Sequence, residues 1–174
     1  MDLERRFSTS YATVGGKLGG IVAPFNVETR IDDFVEVIKP GAFAATLAAG
    51  HDILAVQDHD LARVLARTKN GSLRLAEGAR GLSFELDIPN TSLGRDLRVM
   101  AEEGLLGGMS FAFRPLPGGE RWVGNRRELG AVELLEVSVV SSWPAYPETE
   151  VSARARAAAS PVRLSLARRF LETI

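Results

Sequence analysis

Three residues able to divide the work of a serine hydrolase lie in three separate apolar stretches of this chain. Ser110 sits within Gly107-Gly108-Met109-Ser110-Phe111-Ala112-Phe113. His59 follows the run Ile53-Leu54-Ala55-Val56 inside the polar turn Asp58-His59-Asp60, and Glu136 interrupts the apolar stretch Glu133 to Val140. A nucleophile, a base and a group that orients the base are what acyl transfer through a covalent intermediate requires. The chain holds only two histidines, His51 and His59, so the base has few candidates.

Each residue also has a plainer reading. Strand alternation puts Met109, Phe111 and Phe113 on one bulky face and Gly108, Ser110 and Ala112 on a small one. The small face leaves room for a substrate, and leaves backbone N–H groups near Ser110 open to an oxyanion. The plainer reading is a strand serine that hydrogen-bonds locally. Neutral imidazole is the usual acceptor of a serine proton at physiological pH; the plainer His59 is a surface residue in an acidic loop. Alternation groups Glu136 with Leu134, Ser138 and Val140, opposite Glu133, Leu135, Val137 and Val139. A carboxylate there is costly to bury unless paired, and a histidine N–H suits it; otherwise it is an acid exposed on an edge strand. Asp58 and Asp60 stay open as alternative orienters. A rival set, His51, Asp52, Asp58, His59 and Asp60, has metal-ligand chemistry, but its spacing matches no compact ligand motif. The expectation is therefore no metal and no cofactor. The oxyanion donors stay open between backbone N–H groups near Ser110 and the Asn125-Arg126-Arg127 turn.

The segments that must position these residues are mostly strand-like. Met1 to Ser10 reads as a charged leader that becomes ordered near Tyr11. Strands are expected at Tyr11–Val14, Ile21–Phe25, Asp33–Ile38, Ile53–Gln57, Gly81–Ile88, Leu105–Phe113 and Glu133–Val140. A further strand pair is expected around Trp122 and Arg127–Val132. Asn70-Gly71, between Arg63–Thr68 and Ser72–Leu75, is the strongest short-range hairpin signal. Pro40 to Gly50 reads as a short helix stopped by glycine. A second helix, capped by Thr91 or Ser92, carries Leu93, Leu97 and Met100 at i, i+4, i+7 and stops at Gly104. Together these predict an α+β domain on a curved or closed antiparallel sheet with a few short helices.

At 174 residues, with 45% apolar and 25% charged residues, the chain can bury a core as one globular domain. It has no apolar run of membrane-spanning length. The absence of cysteine excludes disulfides and thiolate nucleophiles. That absence fits an intracellular site of assembly, and the N-terminus lacks the charged-then-apolar layout of a secretory signal. From Val151 onward five arginines face one acid, Glu172, a local +4; an overall charge of −1 leaves the first 150 residues at −5. An acidic body argues against nucleic-acid binding by that body. Residues 1–150 form the expected domain, and 151–174 a basic, Ala/Arg-rich tail that is flexible or ordered only by a partner.

Taken in order, several segments resemble the prohead maturation serine proteases of tailed bacteriophages. They are Glu36-Val37-Ile38-Lys39-Pro40-Gly41-Ala42-Phe43, His59-Asp60, Asn70-Gly71-Ser72-Leu73-Arg74-Leu75, Gly81-Leu82-Ser83-Phe84, Gly108-Met109-Ser110-Phe111, Glu136-Val137-Ser138 and Pro144-Ala145-Tyr146-Pro147. They run from about Gly20 to Pro147, and their order is more specific than any one of them. Two departures are Ala112, where the family often has glycine, and the apolar stretch Leu61 to Arg67 after His59-Asp60. The family looks related in fold to the herpesvirus capsid-maturation proteases, a closed β-barrel wrapped by helices. In those relatives a second histidine follows the serine. None follows Ser110 here, and Glu136 is the natural replacement. The resemblance thus implies Ser110 as nucleophile, His59 as general base and Glu136 as orienter. It implies cleavage of the major capsid protein's scaffolding segment, of other internal proteins and of the enzyme itself, in the host cytoplasm within the assembling procapsid. Self-association stays open; neither a membrane nor a specific nucleic acid is implied as partner. The alternative is a catalytically silent scaffolding or assembly protein of the same fold. Such a protein would be expected to have lost Ser110 or His59, and this chain keeps both.

Overall fold

A computed structural model describes residues 3–8, 11–14 and 16–141. In chain order the strands are β1 (Glu4–Ser8), β2 (Tyr11–Val14), β3 (Lys17–Pro24), β4 (Thr29–Ile31), β5 (Phe34–Ile38), β6 (Leu54–Gln57), β7 (Asp60–Arg67), β8 (Leu73–Gly78), β9 (Gly81–Asp87), β10 (Gly108–Pro115), β11 (Glu120–Val123), β12 (Arg126–Leu129) and β13 (Val132–Val140). Two helices interrupt them, α1 (Ala44–Ala49) and α2 (Ser92–Glu102). The described residues are mostly strand, and no helix among them is long and apolar enough to cross a membrane.

The strands form three sheets, ordered β1-β10-β13-β6-β7, β11-β12-β5-β4 and β2-β3-β9-β8. A closed barrel, one form of the expected sheet, is not shown, because none of these pairings among the described residues closes a sheet on itself. Nor is the pairing purely antiparallel, since β5–β12 and β6–β13 run parallel. The reason lies in connectivity. β6 spends one edge on its antiparallel neighbour β7 and offers the other to β13, from much later in the chain. A long crossover of that kind permits parallel pairing where a tight hairpin cannot.

Both expected helices form. Gly50, at φ 64°, ends α1 in the left-handed conformation that glycine takes at least cost. The Thr91 hydroxyl caps α2 by accepting from Gly94 N–H at 3.1 Å. Two other expectations need correction. Asn70-Gly71 does make a tight turn, with Gly71 N–H donating to Thr68 C=O at 3.0 Å. The strands it joins belong to different sheets, however, because β8 pairs with β9 and β7 with β6. Its neighbour Asp52 accepts from Lys69 N–H and from Arg67, pinning the turn as a corner between sheets.

The supposed leader is likewise structural. Glu4–Ser8 is β1, paired along β10 from Glu4↔Phe113 to Ser8↔Met109. Its charged inward residues found buried partners that nothing local announces. Arg6 pairs with Glu36 and Glu4, and Arg127 with Glu4, Glu36 and Glu120, all at 2.6–3.0 Å. The expected basic tail, 151–174, lies outside the described residues.

The core sits on the bulky face of β10. Met109, Phe111 and Phe113 are almost wholly buried with Leu134, Val137 and Val139 of β13 and with Leu18, Phe43, Leu82 and Leu86. Phe111 stacks on Phe113 with ring centroids 5.4 Å apart, and meets Phe43 edge-on at 5.8 Å. Each such side chain contributes about 1.5–3 kcal/mol by leaving water. β10 and β13 are therefore the most firmly held pair, and they carry Ser110 and Glu136.

Candidate active site

The pairing of β10 with β13 places Ser110 directly opposite Ser138, and Ala112 opposite Glu136. One step further the register shifts, and Phe113 pairs with Leu134. Leu135 is thus the extra residue of a β-bulge, a device that re-aims neighbouring side chains. Strict alternation would group Glu136 with Leu134. The bulge separates them instead, leaving Leu134 in the core and Glu136 on the small-residue face with Ser110, Ala112 and Ser138.

His59 arrives from the other side. Asp58 and His59 carry φ of 52° and 59° and form the two-residue turn between β6 and β7. Positive φ at both central positions matches the twist of a tight hairpin, yet costs about 1–2 kcal/mol for each non-glycine residue. Hydrogen bonds from β13 and its end hold the turn there. Asp58 N–H donates to Val139 C=O at 2.9 Å, and the Asp58 carboxylate accepts from Ser141 N–H at 2.7 Å and Ser141 Oγ at 2.9 Å. His59 N–H donates to Ser138 Oγ at 2.9 Å.

So fixed, the imidazole lies over β13, and its Nδ1–H donates to Glu136 Oε1. The two side chains are 16% and 8% exposed. A carboxylate can only accept, so this bond leaves His59 Nε2 as the basic nitrogen. Ser110 is wholly buried. Its Oγ, His59 Nε2 and Glu136 Oε2 are each buried without a hydrogen-bond partner, so the serine–imidazole contact is not made in this structure.

The fold brings His59 and Glu136 together across 77 positions and puts Ser110 one strand away. The alternative orienters are engaged elsewhere, Asp58 with Ser141 and Asp60 with Ala62 N–H. The rival metal set is not gathered. Asp52 holds Arg67 and Lys69, and the described residues contain no cluster of three or more metal-ligating side chains.

Both ideas for the oxyanion donors also change. β10 pairs with β1 on one edge and β13 on the other throughout Met109–Phe113, so its backbone N–H groups are directed into ladders. In the 125–127 turn, Asn125 C=O accepts from Val35 N–H, Arg126 pairs with Glu28 and Glu128, and Arg127 is enclosed in the ion-pair cluster on the far face.

Two positioning roles escaped the sequence reading. Ser138 and Asp58 position the histidine turn, and both stood within segments already singled out. Their signal was a small polar residue in an apolar strand and an acid beside the base.

The sequence profile of the caudovirus prohead serine proteases matches residues 2–161 of the chain. No curated protein and no solved structure matches it. The matched span covers β1, the histidine turn, the serine strand and the glutamate strand, so the chain belongs to the caudovirus prohead serine protease family and is a serine protease of phage procapsid maturation.

Proposed function

We propose that Ser110, His59 and Glu136 are the catalytic triad of this protease. The observation that carries the reading is the His59 Nδ1–H bond to the buried Glu136 carboxylate, on the strand paired with that of Ser110, whose Oγ has no hydrogen-bond partner. In acylation Ser110 Oγ attacks the scissile carbonyl while its proton passes to His59 Nε2. The imidazolium is stabilised by Glu136 and then gives that proton to the departing amine. Water enters by the reverse route, with His59 again the base, and frees Ser110 from the acyl group. The contact still to be made, Ser110 Oγ to His59 Nε2, is of the kind that tightens when substrate binds.

A prohead protease acts on capsid proteins. For this chain the substrates are the scaffolding segment of the major capsid protein, other internal proteins and the chain itself, cut within the procapsid as it assembles in the host cytoplasm. Self-association belongs to the same reading, since activity confined to an assembling shell is naturally tied to local concentration.

Co-expression with the major capsid protein, followed by intact-mass analysis, tests this. Shortening of the capsid protein that vanishes with Ser110→Ala is the expected result, and the mass gives the bond cut. Capsid protein left uncut by the wild-type chain, while that chain is still incorporated, would replace the protease reading with the assembly one.

A further inference from the structure

Attack at Ser110 leaves negative charge on the former carbonyl oxygen, and the rate depends on N–H donors already aimed at it. On β10 the backbone cannot supply them, since Met109–Phe113 is laddered on both edges. A side chain on the same face is another source of such a donor. β1 pairs Phe7 with Ser110 and Arg5 with Ala112. Arg6 lies on the core face, its guanidinium 5.3 Å from the Phe113 ring centroid. Alternation therefore puts Arg5 on the opposite face, that of Ser110. Arg5 is a diagonal neighbour of Ser110, a backbone separation of about 7–8 Å that a long side chain spans. Ala112 lies directly opposite Arg5, and Phe7 directly opposite Ser110.

The state of the Arg5 side chain is the second observation. Its Nε is buried and has no hydrogen-bond partner, and the guanidinium makes no ion pair among the described residues. The same strand pairs its other arginine fully, Arg6 with Glu36 and Glu4. A buried guanidinium N–H without an acceptor is costly. Ser110 Oγ is likewise buried without a partner.

We propose that Arg5 is the side-chain donor to the oxyanion formed at Ser110. Its charge is fixed in place by β1 before the reaction begins, so it favours the tetrahedral state over the neutral carbonyl. This rests on Ser110 being the nucleophile, and the test separates the two claims. The probe is an alkyl fluorophosphonate, applied to the full chain alone and co-assembled with the major capsid protein. Ser110 Oγ forms a bond to phosphorus, fluoride leaves, the serine proton passes to His59, and the phosphonyl oxygen occupies the oxyanion's place.

The wild type should label and Ser110→Ala should not. Arg5→Gln should slow labelling by about 10²–10³-fold, the effect of removing one oxyanion donor, with its urea unfolding midpoint kept. Arg5→Lys, which restores charge but not the planar fork, should recover part of that rate. In capsid-protein cleavage, kcat should fall while KM holds. If Arg5→Gln labels at the wild-type rate, the Arg5 assignment falls and the nucleophile stands. If it labels normally but cleaves capsid protein poorly through a raised KM, Arg5 reads a substrate group and the oxyanion role is wrong. A rate loss matched by a lowered unfolding midpoint, with no recovery in Arg5→Lys, makes Arg5 structural. A wild type that never labels removes the nucleophile and the Arg5 role with it.

Discussion

Glu136 meets His59 because of a single inserted residue. Without the bulge at Leu135, the side chain would share a face with Leu134 in the core, where no imidazole could reach it. With it, the carboxylate accepts a hydrogen bond from His59 Nδ1–H and leaves Nε2 as acceptor. Glu136→Gln keeps the shape but lets the amide N–H₂ favour the wrong tautomer. The comparable change in another triad lowers kcat by about 10⁴-fold. We expect a loss of about 10³–10⁴-fold in capsid-protein cleavage with little change in the unfolding midpoint. Single-turnover cleavage and urea denaturation together would show this. A variant that retained a tenth of wild-type activity would remove Glu136 from the mechanism.

β1 is held by a different kind of force from its neighbours. β10 and β13 bury phenylalanine, leucine and valine against each other, whereas the inward positions of β1 are Glu4 and Arg6. These engage Glu36 on β5 and Arg127 on β12, so one ionic cluster joins two sheets. The sum of such a cluster is not large, because desolvation offsets much of the Coulomb attraction, but removing one partner strands the rest. Arg127→Met would leave the Glu4, Glu36 and Glu120 carboxylates facing one remaining guanidinium. A loss of about 3–5 kcal/mol in urea unfolding is expected, together with faster hydrogen exchange in β1. If stability falls by less than 1 kcal/mol, β1 is held chiefly by its ladder to β10 (a threshold set by the usual net worth of a hydrogen bond).

The whole protein should accordingly weaken in acid in a defined way. Burial pushes the Glu4 carboxyl up, but the Arg127 and Arg6 guanidinium groups more than offset this and hold it below its ordinary 4.5. A depressed carboxyl contributes stability that is complete above the unfolded value. That stability is lost as the pH falls through the folded one. The window therefore opens near pH 4.5 and extends downward, and β1 should be among the first elements to loosen. Asp52, Glu85 and Asp87 are also lowered, chiefly by hydrogen bonds from Arg67, Lys17 and Arg74 respectively, but they are exposed and screened by salt. Hydrogen exchange at falling pH in high salt isolates the buried contribution. Protection of β1 that stays unchanged well below pH 4.5 would contradict it. Because β1 also carries Arg5, protease activity should decline in step with that loss of protection.

The residues of the proposed triad were singled out from residue types alone. Ser110 on a face of small residues, a histidine at the end of an apolar run and a lone acid in an apolar strand are local facts. So are the Thr91 cap, the Gly50 stop and the core stripe Met109, Phe111 and Phe113, all of which the structure places as expected. These depend on spacing along one segment, which a sequence displays directly. What depended on two distant segments meeting was not legible. Asn70-Gly71 announced a turn but could not say that its flanking strands part into different sheets. Glu4, Arg5 and Arg6 looked like a solvated leader because their partners Glu36, Ala112, Phe111 and Arg127 are 30 or more positions away. Glu136 was chosen by chemistry, but its face was set by a register shift against Ala112 and Phe113. Local propensity acts over a few residues, whereas register and ion pairing are decided by whichever distant surfaces the folded chain brings into contact.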